Sequence, residues 1–539
     1  MKIINKKLLI VFFNAFILNA FAQNDLQITR FPQDMQLFPR NTTTNKGSYT
    51  IEGVVAKGSP VSLVKVRIFR AESLVDEKSQ LINAANATVP FTLTFDIKAE
   101  LTEYKIEFKK TVNGKDSLVK KAEHLVAGDV FVVNGQSNNI GSIEDVDYSP
   151  FMRSYTTPFG WNDIKYTQPS KWAPRLGKLI IDNQKIPVAL FNESYGGVTQ
   201  SYFLKGNGTL SENNYQTTLK RLEAAEVKNK VKAILWWQGE SDGWETPAEA
   251  YKLQFKQLYS DWMKDYNNPQ CYFFQIRFKS CSHTNPMIME VQRQLASELP
   301  NVDIVSTNAA LSDGCHFSYN NGYDSLGSRL FRLVSMRNYG LASTYVRAPD
   351  VERAWRVSTN EINVLFKHTN ALKVSGSPWA DFQINGGNAR ITEGIIEGNL
   401  LRLRFVGDTT GMRGISYLSH ITADDSWIIN PFGMGILSFY NVPLTSKPTS
   451  TATDTEGVNL FEVYPTIADD YLKIKLLDTT ATSKKLALYD LTGRLRIEKD
   501  VTDANALITL DVSEIPTGMY IVVLSQGNQK QAVKKIIKI

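Results

Sequence analysis

Between Val130 and about Tyr339 the chain alternates short apolar runs with amphipathic stretches, and this alternation limits the possible folds more than any other feature. The stretch "KWAPRLGKLIIDNQ" has apolar residues at helical spacing and leads into the strand-like "IPVALFN". In the same way "TTLKRLEAAEV" precedes "VKAILWWQ", "PAEAYKLQFKQLYSDWMKDY" precedes "CYFFQIRF", and "NPMIMEVQRQLASEL" precedes "VDIVST". Parallel strands need a crossover long enough to hold a helix, so such alternation predicts a parallel sheet covered by helices and an α/β fold class. The period changes on either side. From about Leu26 to Phe131, "YTIEGVV", "VSLVKVRIF", "FTLTFDI" and "YKIEFKK" are separated by Gly, Asn and Lys turns, which predicts a β-sandwich. A second β-rich region runs from about Val346 to Val442, then a Ser/Thr/Pro-rich stretch, "PLTSKPTSTATDTEG", and a compact strand-rich tail.

The N-terminus has the pattern of a secretory signal. Lys2, Lys6 and Lys7 precede "LLIVFFNAFIL", and Ala20 and Ala22 supply small residues for cleavage. The apolar run is short for a membrane span, which needs roughly 20 residues, and Asn14 interrupts it. Removing this segment takes away three lysines and no acid, so the net charge falls from +6 to 6 − 3 = +3, too little to argue for nucleic acid. The mature chain is expected to have no transmembrane span. The expected domains are 1–22, signal peptide; 23–127, β-sandwich; 128–340, catalytic α/β; 341–443, β-rich; 444–458, linker; and 459–539, C-terminal β domain.

Chemistry is expected where strands leave the sheet. In "DVFVVNGQSNNIGS" a core-like strand runs into a polar cluster containing Ser137, a candidate nucleophile. A base is scarcer: of five histidines only His316, in "LSDGCHFS", has an acid three positions earlier, Asp313. That loop follows the strand "VDIVST" and is expected to emerge at the same sheet edge as Ser137.

Taken together, "NGQSN", "ESYGGVTQSYF", "WWQGESD" and "DGCHFS" resemble, in their order, the sequence blocks of SGNH hydrolases. More narrowly they resemble carbohydrate esterases of the sialate O-acetylesterase type, over about Gly128 to Gly340. The resemblance implies a three-layer αβα, flavodoxin-like catalytic domain and hydrolysis of acetyl esters on sugars, whether sialates or plant glycans such as acetylxylan. It implies Ser137 as nucleophile, His316 as general base and Asp313 as its orienter. Ser137 N–H, Gly197 N–H and the Gln238 side chain would form the oxyanion hole; Gln238 stands where the wider superfamily uses Asn. Gln136, Asn138, Tyr195, Glu240 and Trp244 are candidate substrate contacts, and no metal or organic cofactor is implied. The tail segments "FEVYPTIADDYLKIKL", "LALYDLTGRL" and "KKIIKI" resemble the C-terminal sorting domain of type IX secretion in Bacteroidetes, although "YPT" replaces the usual "YPNP". This implies export through the periplasm to the cell surface or beyond, with the secretion machinery as partner.

Other readings stand beside this one. Gly239-Glu240-Ser241-Asp242-Gly243 fits a G-x-S-x-G elbow after a strand, which makes Ser241 a competing nucleophile. An elbow needs a helix directly after its serine, and here Gly243 and Trp244 intervene before Thr246 and Pro247, which look like N-cap and N1. Glu240 and Asp242 are then read as loop-organising carboxylates near the site. A glycosidase would pair Glu193 with Glu240 or Asp242 across a cleft. A non-catalytic glycan-binding protein would stack sugars on Trp236, Trp237, Trp244, Tyr195 and Tyr202. Of three cysteines, Cys271 falls within a strand, whereas Cys281 and Cys315 fall in loops at the expected catalytic edge, so the pair is expected to bridge if geometry allows; three buried thiols are the alternative.

Overall fold

The computed structural model describes residues 25–206, 213–278, 281, 285–341, 345–420 and 426–445, and most of 461–538. The expected signal segment and most of the expected linker lie outside the described residues. The chain divides into two compact units, Met1–Lys447 and Pro448–Ile539.

The centre of the first unit is a mixed α/β layer system. Its elements are β1 (Lys115–Gly135), β2 (Met152–Thr156), α1 (Ala173–Gln184), β3 (Val188–Asn192), α2 (Asn214–Ala224) and β4 (Val231–Trp237). They continue with α3 (Asp242–Glu245), α4 (Ala248–Asp265), β5 (Gln270–Gln275), α5 (Met287–Glu298), β6 (Val302–Ser306) and α6 (Asp324–Tyr339). The strands pair in parallel in the order β2-β3-β1-β4-β5-β6. The chain therefore leaves β1 toward one side and returns to build the other, and β1 lies where the order reverses. Val130, Phe131, Val132 and Val133 are fully buried, as a strand covered on both faces must be. Local signals set the helices. α1 carries Pro174 in its first turn and stops at Lys185 in the left-handed conformation, and α6 stops at Gly340 in the same conformation. Leu176, Ile180 and Ile181 of α1 and Leu326, Leu330 and Leu333 of α6 face the core, each burial contributing about 1.5–3 kcal/mol.

Two sheet modules flank this centre. In the first, Leu26–Arg30, Leu37–Asn41, Lys46–Val55 and Val89–Lys98 form one sheet. Val61–Arg70, Ser73–Leu81, Tyr104–Val112 and the first half of β1 form another. The alternating residues Ile51, Phe91 and Phe95 meet Val66, Ile106 and Phe108, with Phe91 stacked on Phe108 at 5.4 Å. No linker separates this module from the α/β sheet, because β1 is one strand of 21 residues serving both. The second module contains a seven-stranded sheet over residues 350–445 with a core of Val364, Phe366, Leu401, Leu403, Phe405 and Phe439.

The second unit has a three-stranded and a five-stranded sheet around Leu472, Ile474, Leu488, Leu510 and Val522. Among the described residues no helix is long and apolar enough to cross a membrane.

Candidate active site

β1 and β4 close up at their ends because residue 135 is glycine. Gly135 has φ +128°, and a Cβ there would lie 2.0 Å from the Trp237 carbonyl oxygen. Gln136 N–H donates to that carbonyl at 2.8 Å, and Ser137–Asn139 form a single 3₁₀ turn. The turn is tied on both sides: Gln136 Oε1 accepts from Gly239 N–H at 3.2 Å, and Asn192 Nδ2 donates to the Asn139 carbonyl at 2.8 Å.

His316 arrives from the loop after β6, with Nε2 3.1 Å from Ser137 Oγ. The structure thus brings together the two residues expected to be nucleophile and base. Asp313 acts differently from the expected orienter. Its Oδ1 accepts from the N–H groups of Cys315 at 3.0 Å and His316 at 2.7 Å, and among the described residues no hydrogen bond joins it to the imidazole. In so tight a turn the nearest donors to a short acid are the backbone N–H groups two and three residues ahead. Burial would push the Asp313 carboxyl up, but those donors and the nearby imidazole outweigh it and hold the group below its ordinary range.

Ser137 and Gly197 line one cavity of about 410 Å³ together with Gln136, Thr199, Glu240, Ser241, Trp244, Cys281 and Cys315. Gly197 sits on its wall with φ +72°, a conformation that side-chain-bearing residues rarely adopt. Gln238 does not join the wall. Its amide donates to the Asp242 carboxylate and to the Val198 carbonyl at 3.3 Å, so its N–H groups are already engaged and the expected third oxyanion donor is missing from this arrangement. Asn138 also faces inward rather than toward a substrate: it is fully buried and donates to Glu240 Oε1 at 2.9 Å. Tyr195 and Trp244 are 55% and 59% exposed, and Tyr202 packs against Tyr195 at 5.0 Å. Trp236 and Trp237 are buried core residues and cannot offer a stacking face to a sugar.

The competing sites fare differently. Ser241 does line the cavity, and the short helix α3 follows it directly, contrary to the sequence expectation. Thr246 is not an N-cap: its hydroxyl donates to Asp242 Oδ1 at 2.7 Å, and Pro247 occupies the N-cap of α4. The imidazole nevertheless pairs with Ser137. Glu193 is buried in an ion pair with Arg221 at 2.7 Å, and Asp242 accepts from Gln200 N–H at 2.8 Å as well as from Gln238 and Thr246, so these acids are committed to structure and not to a glycosidase cleft.

Cys281 and Cys315 form the disulfide, and Cys271 is a buried thiol. Cys281 N–H also donates to the Gly314 carbonyl at 3.0 Å. One residue escaped sequence reasoning. Arg277, just past β5, is buried, donates to the Ala310 carbonyl at 3.4 Å and lies 4.5 Å from the ring of Phe317, so it touches both ends of the loop carrying His316. Burial pushes its guanidinium down to about 10. A charged residue inside "CYFFQIRF" was the available signal.

Residues 172–335 match the family model of carbohydrate esterases described as sialic acid-specific acetylesterase. The domain is an esterase. Within this esterase Ser137 precedes the matched stretch, whereas Gly197, Gln238, Asp313 and His316 fall inside it. Residues 462–539 match the secretion system C-terminal sorting domain, which directs the esterase to the cell surface or the extracellular space. No curated protein matches the chain. A carbohydrate acetylesterase from Xanthomonas citri shares the fold at TM-score 0.56 and 16% identity, covering 76% of this chain and 97% of its own. A protein from Arabidopsis thaliana aligns at TM-score 0.33 and 20% identity, over 39% of this chain and 98% of its own.

Proposed function

We propose that this secreted esterase removes O-acetyl groups from carbohydrate by a Ser-His-Asp acyl-enzyme route, on a three-layer αβα, flavodoxin-like SGNH domain spanning about 128–340 and flanked by β-sandwiches. The observation that carries this reading is the 3.1 Å contact between His316 Nε2 and Ser137 Oγ beside the cavity of the esterase domain. Ser137 Oγ attacks the acetyl carbonyl carbon while His316 Nε2 takes the hydroxyl proton. The N–H groups of Ser137 and Gly197 stabilise the oxyanion. Collapse expels the sugar hydroxylate, which takes the proton from His316. Water, deprotonated by the same imidazole, then attacks the acyl-enzyme, and acetate leaves as Ser137 recovers its proton. Asp313 serves by holding the His316 loop in shape. Tyr195 and Trp244 at the site offer apolar faces to a sugar ring.

For the substrate, the matched family description supports acetylated sialic acid. Acetylated plant glycan is the second reading, favoured by the absence among the described cavity-lining residues of a Lys or Arg to receive a sialate carboxylate. Acetate release should be measured on a panel of both substrate types. Ser137→Ala should lower turnover by about 10³-fold or more with folding intact, and Ser241→Ala by only about threefold. The reverse ranking, or no acetate from any acetylated glycan, would overturn the proposal.

A further inference from the structure

The esterase reading leaves unexplained a buried acid beside the nucleophile. Glu240 is 2% exposed, and its Oε1 accepts two hydrogen bonds, from Asn138 Nδ2 at 2.9 Å and from Trp237 Nε1 at 3.0 Å. Its Oε2 is buried with no hydrogen-bond partner. No cation pairs with the carboxyl among the described residues, and burial pushes it above its ordinary range. A group kept at that cost is expected to hold something in place.

What it holds is Asn138, the residue directly after the nucleophile. Asn138 Nδ2 also reaches the Cys315 carbonyl at 3.4 Å, on the loop that carries His316, and its Oδ1 accepts from Tyr323 Oη at 2.9 Å, at the threshold of α6. The Ser137 turn, the His316 loop and the end of β4 therefore share one amide and one carboxyl oxygen. We propose that Glu240 is a positioning residue for the acyl transfer: by anchoring Asn138 it sets the Ser137 turn and the His316 loop at the separation that proton transfer needs. This inference rests on Ser137 as nucleophile. It gives Glu240 an internal role in place of contact with substrate.

The test is the rate at which a fluorophosphonate labels Ser137 in the full-length protein, together with kcat and KM for acetate release. Glu240→Ala should slow labelling and kcat by about 30-fold or more with KM within about threefold, since small misplacements of reacting groups cost heavily. Glu240→Gln keeps an acceptor oxygen at Oε1 and should recover most of that loss. If Glu240 acts through Asn138, adding Glu240→Ala to Asn138→Ala should cost little more than Asn138→Ala alone. The inference falls if Glu240→Ala labels at the wild-type rate, if the two losses multiply, or if Glu240→Gln is as slow as Glu240→Ala while folded. Should Glu240→Ala not fold, the Gln variant and Asn138→Ala still decide, because Gln near the wild-type rate with slow Asn138→Ala supports the anchor and any other pairing overturns it. A wild-type enzyme that does not label at Ser137 would overturn the esterase reading itself, and the inference with it.

Discussion

The two sheet modules flanking the α/β sheet attach to it in different ways. The first joins by sharing β1, and its polar contacts cluster where that strand enters the sheet: Asp129 accepts from Arg40 at 3.0 Å, Lys232 at 3.3 Å and Tyr339 at 2.8 Å. The second joins along β5, α5 and β6: Arg347, just before the module, pairs with Asp303 near the start of β6 at 3.0 Å, and other contacts lie at the strand ends near Ser137. Gln275, the last residue of β5, exchanges two hydrogen bonds of 2.8 Å with the backbone of Ser438, and Ser306 and Asn308 donate to the Ile436 carbonyl at 3.1 and 2.8 Å. From the same module Trp427 lies 6.0 Å from the Arg277 guanidinium, whose other side meets Phe317. The difference teaches that a flanking domain can be joined through a shared strand or through side-chain contacts along an edge. Of the two, the second also touches Arg277, which contacts both ends of the loop that carries His316.

Three measurements would break or sharpen this contrast. The largest effect is expected from Phe108→Ala, which empties a buried position between the two sheets of the first module. Stability to denaturant should fall by about 3–5 kcal/mol while kcat of the folded enzyme stays within about twofold. A large loss of turnover in the folded variant would mean that the first module also reaches the site. Next is Arg277→Ala, expected to lower kcat about tenfold with KM little changed, because both ends of the His316 loop lose a contact. If it lowers only the melting temperature, the second module is merely more scaffold and the contrast disappears. The smallest effect belongs to the disulfide. Reducing Cys281–Cys315 should cost about threefold or less in turnover, since the Cys281 N–H to Gly314 carbonyl bond still ties the two loops. A complete loss on reduction, reversed by reoxidation, would make the bridge the main support of the loop instead.

Much of this was legible in the chain. Periodicity placed α1, α4, α5 and the strands after them to within a few residues, because each is long and strongly patterned. Ser137 and His316 were legible through block order and the rarity of histidine. The site's wiring was not. Whether the Gln238 amide faces a cavity or Asp242 depends on how one turn folds back, and nothing in "WWQGESD" distinguishes them. The role of Arg277 depends on Phe317 and Trp427, which are remote in sequence and meet it only in space. The change of period sets the break between the first module and the α/β domain near residue 127, yet one strand spans that position. In the structure the change is marked by His124, whose φ is +58°, and by a register shift beside it.

That shared strand also bears on how the two regions can move against each other. Over its 21 residues it is hydrogen-bonded first to one set of neighbours and then to another, with a bend at His124, whose φ is +58°. Hinges are made where a few residues can absorb large backbone rotations, and His124 is held against that by paired neighbours on both sides, Ala122 with Ile106 and Leu125 with Tyr104. The first module and the turn that carries Ser137 therefore hang from one strand, laddered on both sides of that bend.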